Sequence, residues 1–191
     1  MRFSWRIAFP RVRGHSDTCM PFAYYDRLSP AGKQTYRKSD AIGAIGLPRG
    51  IALQSQVAAL RAGLAADRRL QVQRSSQAIV DALTQGFHVP PIQVRVLARR
   101  PADGSGELHG LYEPEEGRNR ARITVWMRTA ARRQVVAFKT FLRTLCHEVC
   151  HHLDYELFAL EETFHTEGFY KRESSLASSL LAQVAATTAY D

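Results

Sequence analysis

The 191-residue chain holds only three cysteines. An odd, small number does not read as a disulfide framework and points to a reducing compartment. No apolar run approaches the eighteen or so residues of a bilayer span, which excludes a membrane partner of that kind. The charged start, Met1-Arg2-Phe3-Ser4-Trp5-Arg6, is not followed by the apolar stretch of a secretory signal. A cytoplasmic location is therefore expected. Acidic residues are scarce in the first half. Residues 1–100 carry 16 Lys/Arg against 5 Asp/Glu, a net +11, and residues 101–191 carry 10 against 13, a net −3. A basic half of this kind suits nucleic acid or another polyanion, and it suits a solvated arginine-rich surface equally well. One more absence matters: from Thr129 to Glu167 there is no Gly and no Pro. Nothing in that stretch interrupts a long helix.

What is present sorts into helices, then strands, then helices, an α+β order. In the first thirty residues Arg2, Arg6, Arg11 and Arg13 alternate with Phe3, Trp5 and Phe9, a mixture able to stack on and neutralise a single strand or to dock on a domain. Ser29-Pro30 is an N-cap followed by a Pro at the first helical position, so a short helix is expected from Pro30 to about Asp40. Gly43, Gly46, Pro48 and Gly50 then mark a linker. This divides the chain into a basic N-terminal extension, 1–49, and a main domain, 50–191. Helices are expected over Ile51–Ala66 and, with Asp67 as N-cap and Gly86 as the stop, to about Gln85. Ile92, Val94 and Val96 alternate with polar residues as a strand; Glu107–Glu113 and Ala121–Met127 give a second and a third. A helix from about Ala131 to Leu160 follows. Thr163–Glu167 is a short connection, and a last helix runs on from Gly168 through Phe169, Leu176, Leu180 and Val184.

The long helix carries the chemistry. It contains His147-Glu148-Val149-Cys150-His151, the H-E-x-x-H pattern. Residues four apart on a helix share a face, so both imidazoles can grip one Zn²⁺ while Glu148 reaches a water beside it. Val135, Phe138, Leu142, Leu145, Val149 and Leu153 form an apolar stripe nearly opposite. One side of the helix is thus expected on a core and the other on a cleft. Cys146 and Cys150, one turn apart, read as small packing residues. A catalytic zinc takes a third protein ligand. Asp154, Glu161, Glu162, His165, Glu167 and Glu173 are the candidates. His165 is preferred because a short loop between two helices can aim it back at the metal. Asp154, one turn past His151, could instead orient a ligand imidazole. The longer H-E-x-x-H-x-x-G-x-x-H form does not apply, since Asp154 and Leu157 occupy its Gly and last His positions.

His147-Glu148-Val149-Cys150-His151, followed after thirteen residues by His165 and then by Gly168-Phe169-Tyr170-Lys171, resembles the SprT-like group of zincin metallopeptidases. The resemblance spans about Ile92 to Tyr170. Its His165-Thr166-Glu167-Gly168 departs from a His followed directly by Gly. It implies a zincin-like fold with a small three-stranded sheet on the H-E-x-x-H helix. Metal ligands would be His147, His151 and His165, with Glu148 as general base. It further implies an edge strand, Glu107–Glu113, that pairs with the substrate backbone, with Ala121–Met127 inside it, and His109 and Gly110 breaking the apolar alternation. The expected activity is zinc-dependent hydrolysis of a protein or peptide, with Glu148 moving the proton from water to the leaving amine. Tyr155, Tyr170 and His152 are candidate oxyanion donors. SprT-like enzymes include proteases acting on DNA-bound proteins, which would suit the basic N-terminal half. The alternatives are a nucleic-acid-associated or regulatory zinc-binding protein without proteolytic activity, and a zinc hydrolase of a non-protein amide.

Overall fold

The computed structural model describes residues 22–103 and 106–187, with side chains as far as residue 184. The basic arm of Arg2 to Arg13 and the third cysteine lie outside the described residues. Five helices are α1 (Pro30–Ala41), α2 (Gln54–Ala65), α3 (Arg69–Phe87), α4 (Phe138–Glu156) and α5 (Glu167–Thr187). Five strands are β1 (Gln93–Arg99), β2 (Ala102–Asp103), β3 (Gly106–Glu107), β4 (Gly110–Glu113) and β5 (Arg122–Arg128). The class is α+β, as the order of elements implies. Among the described residues, no helix is long and apolar enough to cross a membrane.

Three strands form the main sheet in the order β1-β5-β4, with β1 parallel to β5 and β4 antiparallel to it. The strand expected inside is therefore central, and the strand expected at the edge is an edge. β2 and β3 form a separate small hairpin, so the second strand starts at Gly110 rather than Glu107. Val94, Val96, Tyr112, Ile123 and Val125 join Leu83, Leu142, Leu145, Val149, Phe169 and Leu176 in one core. α4 runs through it.

The outer edge of β1 is closed by side chains of α3 at steps of four. Gln77 donates to the Ile92 carbonyl at 2.9 Å and accepts from the Val94 N–H at 2.7 Å. Gln73 donates to the Val94 carbonyl and accepts from the Val96 N–H, both at 2.6 Å. Arg69 donates to the Val96 carbonyl at 3.2 Å. A primary amide carries the same donor and acceptor as a peptide group, so the glutamines stand in for a neighbouring strand.

Several boundaries differ from the sequence expectation, each for a local reason. α4 is shorter than Ala131–Leu160. Ahead of it Val136 donates to the Met127 carbonyl and Val135 bridges Arg128, so the chain still follows β5. Behind it the chain leaves through left-handed Ala159 (φ 49°), and the Leu160 N–H closes on the Asp154 carbonyl. Asp67 does not cap α3; it is left-handed (φ 55°) and pairs with Arg128, and the helix starts at Arg69. Gly86 does not stop α3 either. It lies inside the helix, where a Cβ would overlap Pro48 and Ile51, and left-handed His88 ends the helix. α2 begins at Gln54 rather than Ile51.

α1 starts as expected, with Ser29 Oγ accepting from the Gly32 N–H at 3.1 Å and Pro30 next to it. It lies against α5. Gly168 fits there because a Cβ would meet the backbone carbonyls of Ser39, Asp40 and Ile42. The part of the expected extension that is described, from residue 22, thus packs on the last helix. Replacing Gln77 with Ala should strip the Ile92 carbonyl and the Val94 N–H of their partners. The expected loss is about 1–3 kcal/mol of unfolding free energy, read from the midpoint of a urea titration at unchanged slope.

Candidate metal centre

α4 supplies His147, Glu148 and His151. The loop after it supplies His165. The three Nε2 atoms converge: His147 to His151 is 3.1 Å, His147 to His165 is 3.0 Å and His151 to His165 is 3.2 Å. These histidines lie close enough to bind one metal ion. For scale, nitrogens about 2.1 Å from one tetrahedral zinc ion stand about 3.4 Å apart. The Phe169 ring packs under the trio, with centroid distances of 4.9, 4.8 and 5.1 Å to the three imidazoles.

The other ring nitrogens decide what the trio can do. His147 Nδ1 lies 2.7 Å from Glu173 Oε2, a carboxylate oxygen that can only accept, so Nδ1 carries the proton. Glu173 is held in turn by Arg143. His151 Nδ1 lies 2.8 Å from Thr163 Oγ1, and that hydroxyl donates to Asp154 Oδ2 at 2.8 Å. A hydroxyl has one hydrogen, so His151 Nδ1–H must be the donor to it. Both Nε2 atoms therefore present lone pairs to each other at 3.1 Å. Two facing lone pairs repel, and a cation between them removes the conflict. The donor set fits a metal ion on this ground.

Asp154 is anchored by Arg172, whose Nη2 donates to Asp154 Oδ1 at 2.8 Å, with both side chains fully buried. Arg172 also donates to the carbonyls of Ser39 and Ile42 at the end of α1. Support for His151 thus runs through Thr163, Asp154 and Arg172 to α1. Tyr24 adds a second tie from the N-terminal side, its hydroxyl donating to the His165 carbonyl at 3.2 Å.

Electrostatics favour the uncharged form of two of the imidazoles. Burial, then the neighbouring His147, His165 and Arg172 charges, push His151 well below its ordinary value. Burial and His147 lower His165 to about 3. Both rings are neutral near pH 7. Burial raises Glu148 to about 7, against the pull of His147 and with a push from Glu173. For Glu173, burial acts upward, but the hydrogen bonds and charges of His147 and Arg143 outweigh it and hold the carboxyl below the usual range.

Of the candidate third ligands, the structure brings His165 to the cluster. Asp154 and Glu173 lie behind the imidazoles rather than at the shared point. Glu162 accepts from the Tyr155 hydroxyl at 2.9 Å, and Glu167 pairs with Lys171. Glu161 is exposed. Two candidate oxyanion donors are occupied elsewhere. His152 Nε2 donates to the Pro90 carbonyl and its Nδ1 accepts from the Tyr112 hydroxyl at 3.0 Å; Tyr155 is held by Glu162. Tyr170 stacks on His165, ring centroids 5.9 Å apart. Cys146 and Cys150 are buried and unbridged, their thiols pushed up by burial, which matches a packing role.

One expectation is corrected. The helix does not turn an open face to a cleft: from Leu145 to Asp154 every residue of α4 is buried. The polar face is covered by α5 and the loop before it: Glu173 and Thr163 take the Nδ1 sides of His147 and His151, and Arg172 takes Asp154. Thr163 and Gly110 were not foreseen. A Cβ at Gly110 would overlap the Glu148 carboxylate, so this glycine lets β4 approach the acid. The break in alternation at Gly110 was the one signal of it; Thr163 left none.

The chain matches no protein-family model, and it has no significant match among curated proteins or solved structures.

Thr163→Val removes the acceptor that aims His151. Metal affinity should fall roughly 10–100-fold, measured by chelator competition with the helical circular dichroism unchanged.

Proposed function

We propose that this protein is a zinc-dependent metallopeptidase of zincin-like architecture, similar to the SprT-like group. The observation that carries the reading is the position of Glu148. It follows His147 on α4, beside three converging imidazoles, and its carboxylate lies against Gly110 on the edge strand β4. A purely structural metal site has no need of a carboxylate held between its ligands and a sheet edge.

His147, His151 and His165 would hold the zinc ion. A zinc ion so bound supplies a Lewis acid and brings the pKa of water toward about 7. The chain's own residues would do the rest. Glu148 takes the proton from the attacking water and hands it to the departing amine. β4 offers its backbone to an extended protein or peptide substrate, a role that falls to it because α3 occupies the opposite edge of the sheet. Gly110 keeps that strand close enough for the scissile bond to meet Glu148. Tyr170, beside His165, is the remaining donor for the oxyanion. A cytoplasmic setting and a nucleic-acid contact through the basic N-terminal half complete the proposal.

Burial favours a second reading, a nucleic-acid-associated zinc-binding protein without proteolytic activity: His147 and Glu148 are each only 2% exposed. Glu148→Gln separates the two. For a peptidase, the variant should keep zinc by metal analysis and lose at least about a hundredfold in hydrolysis of an unfolded protein substrate. Wild type and variant equal in rate, or both inactive on every protein tested, would sink the peptidase reading. Gly110→Ala should likewise retain zinc but lose most activity, because the new methyl displaces the Glu148 carboxylate; stopped assays alongside metal content check this.

A further inference from the structure

A second feature lies at the carboxyl ends of the two parallel strands. A cavity of about 480 Å³ is lined by Asp67, Arg69, Arg99, Arg128 and Arg133, with Ala98 and Met127 between them. Arg99 and Arg128 are the last residues of β1 and β5 and pair in register. Their side chains therefore leave the same face of the sheet from strands about 4.8 Å apart. Like charges so placed repel and destabilise the pair. Asp67 answers Arg128, leaving three cations against no further acid on the cavity wall.

These guanidiniums are positioned rather than merely adjacent. Arg69 donates one Nη1–H to the Val96 carbonyl at 3.2 Å, and Arg99 donates its Nε–H to the Ala130 carbonyl at 3.1 Å. Each bond fixes the side chain and leaves the other end of the fork to a ligand. Two wall residues, Asp67 and Arg133, are left-handed at φ 55° and 54°. Such backbone is costly for a residue other than glycine and gathers at functional sites. An adjoining cavity of about 570 Å³ shares Arg69 and adds Arg68 and Arg74. Clefts outside the carboxyl ends of parallel strands are a common place for ligands, and guanidinium forks match phosphate oxygens two at a time.

We propose that this cavity binds a phosphate group, with Arg69, Arg99 and Arg133 as its ligands beside the Asp67–Arg128 pair, at a site separate from the histidine cluster. The phosphate can belong to a small phosphorylated molecule or to a nucleic-acid backbone, and the test tells them apart. Inorganic pyrophosphate and a short single-stranded oligothymidylate are each titrated into the metal-loaded full chain by calorimetry. Arg133→Gly removes one cation while suiting the left-handed backbone, so the fold is retained. Arg99→Met keeps the aliphatic stem. Arg61→Ala, an exposed arginine on α2 outside both cavities, controls for overall charge.

If pyrophosphate binds and both cavity variants weaken it about tenfold or more, with Arg61→Ala unchanged, the ligand is a small phosphate. The same pattern with the oligonucleotide alone assigns the site to a nucleic-acid backbone. No binding of either probe at millimolar concentration overturns the proposal. So does binding that the cavity variants leave intact, or that Arg61→Ala weakens equally.

Discussion

The structure depends on the fixing of two ring nitrogens. Glu173 holds the proton of His147 on Nδ1, and Thr163 holds that of His151. With those protons fixed, both Nε2 lone pairs point at one place, and His165 arrives there from the loop. Neither bond stands alone. Glu173 leans on Arg143, and Thr163 leans on Asp154, which leans on Arg172. A buried ion pair such as Asp154–Arg172 contributes little net stability, yet removing one partner is expensive because the other charge is left without compensation. The arrangement therefore enforces the shape of the site more than it strengthens the fold.

The sheet complements this centre through the difference between its two edges. β1 is occupied by the amides of Gln73 and Gln77, which use up the groups a foreign strand would seek. β4 stands against the Glu148 carboxylate, and the absence of a side chain at Gly110 makes that approach possible. In the proposed activity, this difference decides where an extended chain can align.

The most legible parts in the sequence were those set by helical periodicity. His147 and His151 had to share a face because they are four apart, and His165 was reachable because its loop is short. The three strands followed from alternation, while their edge-and-centre roles were expected from the family resemblance and agree with the order β1-β5-β4. Helix ends were less legible. α4 starts only once the chain has left β5 at Val136, and the left-handed residue just beyond its end, Ala159, is not a glycine, so composition carried no signal for either boundary. Asp67 looked like an N-cap but serves Arg128, a partner 61 positions away. The burial of both faces of α4 was hidden for a different reason. A polar face reads as solvent-facing until the residues that satisfy it are known, and Thr163, Glu173 and Arg172 come from elsewhere in the chain. Family resemblance supplied the fold expectation, and with no significant match to known proteins the functional reading rests on the geometry of these side chains.

The bonds from Arg172 to the end of α1 have a practical meaning for how much of the chain the histidine cluster needs. The linker of glycines at 43–50 looks like a natural place to cut, but a fragment beginning there would lose the Ser39 and Ile42 carbonyls that share the guanidinium with Asp154. A cation in the dry interior would be left half-solvated by its own protein, two steps from His151. The smallest piece of this chain that keeps the support of the cluster intact thus begins ahead of Ser29, and loss of α1 through a cut in the glycine linker would unsettle the cluster without touching a single histidine.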